Sequence, residues 1–318
     1  MTLLVTRESL VLSVQDGGRF GYRRFGLPES GPVDWWAHHA ANRLVGNPSH
    51  AACVELGFTG AAFEVQADAL LACCGAGFVL RRNDQSLPLW MAFWARRGDT
   101  LSLEKTRGGN WAYLAAAGGI LTPVWLGSRS VYPRAFLGRL LVSGDRLPLG
   151  RCGPEQRQLA GRALPMTARP GYAAGEALGV IPGPHADHFS AEGLAAFWQG
   201  HFGVSSSVDR MGYRLEGPAV AHRGQRELIS LGVPSGAVQV PPDGQPIVMM
   251  PDHPTTGGYP CIGAVARTSL PLLAQAQPGF AEVVFYPVDE NRAREDFQKA
   301  MMKLETQLED QEALWPIA

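Results

Sequence analysis

The chain has 318 residues, of which 46% are hydrophobic and 18% charged, with a formal net charge of −1. That length is enough for two domains with ordinary cores, and the near-zero charge offers no basic field for nucleic acid or anionic lipid. With 38 glycines, 24 prolines and so few charges, the composition suits a turn-rich β protein and argues against a helical bundle.

Taken in chain order, Arg7 and Glu8 interrupt the N-terminus before an apolar signal segment can form. Asp34 predicts the N-cap of a helix running to Val45, with Gly46 just past its end and Pro48 beyond. Phe63 to Ala67 alternates with period two, as does Leu101 to Glu104, while Ala69 to Cys74 is an unbroken apolar run that reads as a strand buried on both faces. The uncharged stretch from Gly108 to Ser128 is long enough to span a bilayer. Gly108-Gly109-Asn110, Gly118-Gly119 and Thr122-Pro123 break it repeatedly, so it reads as buried strands and turns and no membrane span is expected. Ser190 predicts the cap of a second helix through Leu194, Phe197 and Trp198, ended by Gly200. Pro246 to Met250 and Val283 to Tyr286 read as strands. After Asp289 a third helix is expected to run as far as Trp315, with Phe297, Met301, Leu304 and Leu308 on one stripe. That stripe is expected to pack on its own domain, with a partner contact as the alternative.

Three short echoes recur in the same order in the two halves. Ser13-Val14-Gln15-Asp16 and Arg19 to Arg23 resemble Ser207-Val208-Asp209-Arg210 and Met211 to Arg214; Leu56 to Val65 resembles Leu231 to Val240; Gly98 to Leu103 resembles Gly279 to Val284. This predicts a duplicated β domain. The expected division is 1–155, a linker over 156–175, a second domain over 176–290 and a terminal helix over 291–318. The five cysteines, Cys53, Cys73, Cys74, Cys152 and Cys261, include no Cys-x-x-Cys pair. They predict free thiols in a cytoplasmic protein and no metal site.

Several cofactor signatures are absent. There is no Gly-x4-Gly-Lys-Ser/Thr, and the only lysines are Lys105, Lys299 and Lys303. Met302-Lys303-Leu304 resembles a biotin-carrier sequence only faintly and falls in the predicted terminal helix, so no biotin is expected on this chain. His185-Ala186-Asp187-His188 lacks a third ligand and reads as a surface loop. Asp252 to Pro260 is richer. Gly257 and Gly258 could turn the backbone into an anion-binding nest, Thr255 and Thr256 add hydroxyls, Tyr259 lines it, and Asp252 offers a carboxylate for proton transfer. Arg210, Tyr213 and Arg214, and Arg19 in the first half, supply guanidinium groups and a phenol beside glycines. An ordinary turn pinned by its own Asp–Arg pair is the alternative for each.

Gln15-Asp16-Gly17-Gly18-Arg19-Phe20-Gly21, Gly31-Pro32-Val33-Asp34, Leu44 to Pro48, Gly127-Ser128-Arg129-Ser130, Arg210 to Leu215, Gln239-Val240-Pro241 and Thr255 to Pro260 together resemble the biotin-dependent carboxyltransferase family, in its 5-oxoprolinase branch. The resemblance runs from about residue 3 to 290. Pro254 stands where that family usually has Gln, and Arg134-Ala135 where it tends to have two glycines. The resemblance implies a mainly β fold of two tandem cyclophilin-like β-barrel domains with a few short helices and a C-terminal helix. It also implies ATP-dependent hydrolysis of a cyclic amide, the opening of 5-oxo-L-proline to L-glutamate. ATP with magnesium would act in the assembled heteromeric complex, in which the B component of 5-oxoprolinase is implied as a tight partner and the A component as a looser one. A carboxyltransferase half acting on urea-like amides, and a non-catalytic regulator binding a kinase inhibitor, are the alternatives. On the first reading Asp252 is the acid/base candidate, and Arg19, Arg210, Tyr213, Arg214, Thr255, Thr256, Gly257, Gly258 and Tyr259 bind substrate or anion.

Overall fold

A computed structural model describes residues 1–172, 177–224 and 228–309. The chain divides into two compact units. The first comprises 1–19, 30–170 and the segment from 301 on, and the second comprises 20–29 and 171–300.

The first unit is built on two sheets. Six strands run in the order Arg146–Pro148, Thr2–Arg7, Ala61–Val65, Thr100–Lys105, Phe78–Arg82 and Gln85–Leu87. Five more run Val11–Gln15, Cys53–Gly57, Trp111–Ala116, Ala69–Gly75 and Met91–Ala95. Their inner faces share one core, with Leu3, Val5, Phe63 and Leu101 from the first sheet against Leu12, Val54, Leu71 and Leu114 from the second. The period-two pattern sets this: Ala61–Val65 alternates buried and half-buried residues, as a strand with one face on the core must. Ala69–Gly75 and Trp111–Ala116 are buried on both faces, because helix Trp35–Leu44 covers their outer side. That helix starts as its sequence dictates. The Asp34 carboxylate accepts from the Ala37 amide at 3.0 Å, and Gly46 follows the helix at φ +72°, where a side chain would be strained.

The second unit is a closed barrel. Its strands run in the order Ala177–Pro182, Cys261–Val265, Ala237–Gln239, Ile247–Met249, Gly212–Glu216, Phe202–Val208 and Glu282–Pro287. Closure joins the first strand to the last in parallel, with Leu178 opposite Phe285, whereas the other pairs are antiparallel. The helix Ala191–Gln199 is capped by Ser190, whose hydroxyl accepts from the Gly193 amide. It buries Phe197, which stacks on Phe285 of the closing strand at 4.6 Å between ring centres. A separate two-stranded ribbon, Leu231–Gly232 with Thr256–Gly257, belongs to the same unit.

The terminal helix spans Glu290–Glu309; its expected continuation to Trp315 lies outside the described residues. Its stripe is real but does not stay on the preceding barrel. Phe297 lies under the Arg267 guanidinium at 4.4 Å in the second unit, whereas Leu304 and Leu308 are fully buried in the first. Glu305, between them, accepts from His39 Nε2 at 2.6 Å and Arg43 Nε at 2.8 Å, both on helix Trp35–Leu44. The expectation that the helix would pack on its own domain is corrected here: apolar spacing identifies a buried face but not the surface that buries it. Among the described residues no helix is long and apolar enough to cross a membrane.

Candidate functional site

The residues expected at the site fall into three groups. Arg19 lies in the first unit, is 1% exposed, and gives its Nε to the Trp125 carbonyl at 3.1 Å and an Nη to the Ser130 carbonyl at 2.6 Å. Asp16 completes the arrangement: its carboxylate accepts from the Ser128 and Ser130 hydroxyls and from the Arg129 and Gly18 amides at 2.6–3.0 Å. The Asp-Gly-Gly-Arg sequence therefore holds the 125–130 segment, and Arg19 is turned toward backbone carbonyls rather than toward a solvent-borne anion.

Arg210 and Asp252 come together in the second unit. Nε and Nη2 of Arg210 reach the two carboxylate oxygens at 2.8 and 3.0 Å, and both side chains are below a tenth exposed. The Asp252 amide also donates to the Arg210 carbonyl at 2.8 Å. The pair thus ties the turn after strand Phe202–Val208 to the segment after Ile247–Met249. Tyr213 is fully buried and donates its phenol to the Ala274 carbonyl at 2.9 Å, so it belongs to the barrel interior. Arg214 is exposed one residue further along the same strand.

Thr255, Thr256, Gly257, Gly258 and Tyr259 do not form the expected nest. Thr256–Gly257 is extended and pairs with Leu231–Gly232, the Thr255 carbonyl accepts from the Val233 amide at 3.0 Å, and neither Gly257 nor Gly258 is among the glycines with positive φ. A nest needs successive amides turned into one concavity, whereas a ladder points them alternately. Glycine serves another purpose at 257. A Cβ there would stand 2.5 Å from Nε2 of Gln239 and 3.1 Å from Val233, so the missing side chain leaves room for the Gln239 amide.

That amide borders a cavity of about 290 Å³. Ile181, Ala237, Gln239 and Cys261 contribute from barrel strands, Leu231 and Gly257 from the ribbon. The size is at the small end of the range for small-molecule sites, roughly 300–1,000 Å³. No Asp, Glu, Lys or Arg lines it among the described residues. The Cys261 thiol is pushed up by burial and donates to the Gly263 carbonyl, so it stays protonated. His185 accepts the Cys261 amide at Nδ1, 3.1 Å away, which leaves the ring proton on Nε2. Burial, then the neighbouring His188, holds this imidazole below its ordinary value, so it is neutral. The sequence placed His185 on a surface loop and Gln239 in a family motif but in no site; the further signal for Gln239 was its standing as a lone polar residue between Val238 and Val240 in an apolar strand.

Neither place resembles a cradle for a nucleotide. The Arg210 guanidinium is engaged by Asp252, and the cavity carries no fixed cation among the described residues. No group of three or more His, Cys, Asp or Glu residues that could hold a metal occurs among those residues. Lys303 sits on the terminal helix and donates to the Thr167 carbonyl at 2.6 Å, which is not the exposed hairpin turn of a biotin carrier.

The family model for the carboxyltransferase domain, subdomains A and B, matches residues 25–287. The chain is 36% identical to the C component of the 5-oxoprolinase of Escherichia coli over 87% of this chain and 88% of that protein. It is 31% identical to the corresponding component of the Haemophilus influenzae 5-oxoprolinase over 84% and 85%. The crystal structure of the urea amidolyase of K. lactis is similar at a TM-score of 0.89 and 29% identity over 96% of this chain, which spans 20% of that larger one.

Proposed function

Because the chain belongs to the carboxyltransferase-domain family of subdomains A and B, we propose that it is the C component of an ATP-dependent 5-oxoprolinase, opening 5-oxo-L-proline to L-glutamate together with the A and B components. The observation that carries this reading is likeness at 36% identity to a 5-oxoprolinase C component over 87% of this chain and 88% of that protein; against the urea amidolyase the chain corresponds to a fifth of a longer protein.

The chemistry is consistent with a division of labour. A five-membered lactam is unstrained and its carbonyl is a poor electrophile. ATP, used with magnesium in the assembled complex, would transfer its terminal phosphoryl group to the amide oxygen and leave as ADP; water could then add to the carbon, the ring C–N bond break to the free amine, and a second water release the phosphate. This chain's share is to bind and orient. Arg214, exposed beside the barrel, is the cation for the substrate carboxylate. Asp252, held by Arg210, is the candidate for proton transfer, which requires one carboxylate oxygen to leave its guanidinium partner during turnover. Thr256, Gly258 and Tyr259 are exposed or half-exposed beside it in sequence and offer polar contacts to the same substrate.

The test is reconstitution. The purified chain alone is expected to leave 5-oxoproline intact, to copurify with the B component, and to support ATP-coupled glutamate formation once the A and B components are both present. Turnover by the isolated chain at the rate of the complex would overturn the reading. So would a reconstituted complex inert toward 5-oxoproline but carboxylating urea in an avidin-sensitive manner.

A further inference from the structure

We infer that the cavity beside the barrel is a recognition site for the uncharged ring of a small lactam, held through the side-chain amide of Gln239. Gln239 is 6% exposed, and its side chain makes no hydrogen bond among the described residues, although its backbone is paired on both sides in the barrel. Neither amide atom of Gln239 is among the sealed, unpartnered side-chain atoms of the described residues; the amide opens onto the cavity, a space large enough for a small molecule, and can pair with what enters it. Gly257 leaves the amide where it is, since a Cβ at 257 would stand 2.5 Å from the amide nitrogen and push the flexible end of Gln239 aside.

The chemistry of the lining selects the ligand. A primary amide presents one acceptor and one donor side by side. Its complement is a group with N–H and C=O on the same edge. A trans peptide points these two groups in opposite directions, whereas the amide of a small ring is forced cis and aligns them. The ring's carbon atoms would rest on Ile181, Val233 and Ala237, which exclude water and strengthen the paired bonds. His185, neutral with its proton on Nε2, supplies a further donor at the wall. The lack of charged lining among the described residues makes the interior unsuitable for phosphate or an enclosed carboxylate. An ionised substituent on the ring must stay at the mouth, where Ile229, Leu231 and Tyr259 are exposed and water reaches it.

5-Oxoproline is such a ring with one carboxylate, so on the function proposed above the cavity is where the lactam docks before its activation, apart from Arg214 and Asp252, neither of which lines it. The ring-binding claim is separable from that function by the choice of probe. The probes are 2-pyrrolidinone, which has the lactam and no carboxylate, and N-methyl-2-pyrrolidinone, which lacks the N–H. Titrating each into the full chain, 2-pyrrolidinone is expected to shift the side-chain amide resonances of Gln239 saturably. The N-methyl compound should bind about tenfold more weakly, the effect of losing one buried hydrogen bond and blocking its partner. Gln239→Leu should weaken 2-pyrrolidinone by a similar factor with an unchanged melting temperature. If that variant does not fold, the comparison of the two probes on the unaltered chain still decides. Equal binding of both probes, or no saturable shift at Gln239, overturns the inference. In the reconstituted complex, 5-oxoproline turnover with a KM indifferent to Gln239→Leu would remove the ring site and leave the function standing. Binding of 2-pyrrolidinone at Gln239 in a complex that does not turn over 5-oxoproline would do the reverse.

Discussion

Arg210 and Asp252 hold each other through two parallel side-chain hydrogen bonds and one backbone bond while nearly excluded from solvent. A pair of this kind is costly to break because removing one partner strands a buried charge. Asp252→Asn is therefore expected to destabilise the chain by about 3–5 kcal/mol, read by denaturant unfolding, whatever it does to turnover. If Asp252 also transfers a proton, the complex loses about 10²–10⁴-fold in turnover as well, measured below the variant's melting temperature. A variant as stable as the parent would show that the pair is not sealed from water.

Truncation after residue 288 should unseat the first unit. It removes Leu304 and Leu308, both fully buried, and the Glu305 carboxylate that joins His39 and Arg43. Each lost leucine is worth roughly 1.5–3 kcal/mol of burial. A 1–288 chain is expected to melt well below the full chain, and Leu304→Ala alone should cost about 2–5 kcal/mol. Unchanged melting of the truncated chain would mean that the helix end is not part of that core.

Acid should weaken the same region. His38 is fully buried, and burial lowers its pKa from 6.5 to about 4 against the pull of a hydrogen bond to the Gln15 carbonyl. Between those two values the unfolded chain binds a proton that the folded chain refuses, so stability is complete above pH 6.5 and falls as pH drops toward 4. The loss is on the order of 3 kcal/mol. His39 shifts in the same direction by burial, opposed by Glu305; it is neutral and donates to a carboxylate rather than forming an ion pair. Comparing unfolding free energies at about pH 7.5 and about pH 5 in the parent and in His38→Gln checks this: the variant should lose most of the pH dependence.

Asp16→Ala is expected to loosen the 125–130 segment. The substitution leaves two serine hydroxyls and two amides without their acceptor, at a combined cost of about 2–4 kcal/mol. Amide exchange should accelerate at Arg129 and Gly18, the two amides that bond to Asp16. Exchange as slow as in the parent would show that water takes the carboxylate's place as acceptor.

Much of this fold is legible in the sequence because its signals are local. Asp34 and Ser190 cap the helices that their spacing predicts, and the apolar run from Ala69 emerges as a fully buried strand. The mainly β fold and the family follow from motifs spread along the chain. What could not be read depends on distant partners. Gly257-Gly258 looks like a turn until Leu231–Gly232 is placed beside it. Arg19 looks like an anion binder until the carbonyls of Trp125 and Ser130 are placed around it. Gln239 falls in one of the family motifs, but its place does not show there, since one polar residue in an apolar strand acquires meaning only when its amide is seen to open onto the cavity.

The parallel pairing of Ala177–Pro182 with Glu282–Pro287 bears on how the protein is made. The strand that opens the barrel finds its neighbour only after nearly the whole barrel has left the ribosome. Contacts of such long range close slowly, and until they close both strands expose unpaired edges that invite association with other chains. The first unit waits longer still, because its buried Leu304 and Leu308 come from a helix that follows the whole barrel in the chain. Neither half can mature as a finished piece during synthesis, so nascent chains of this protein are expected to depend on protection from aggregation until the last helix emerges.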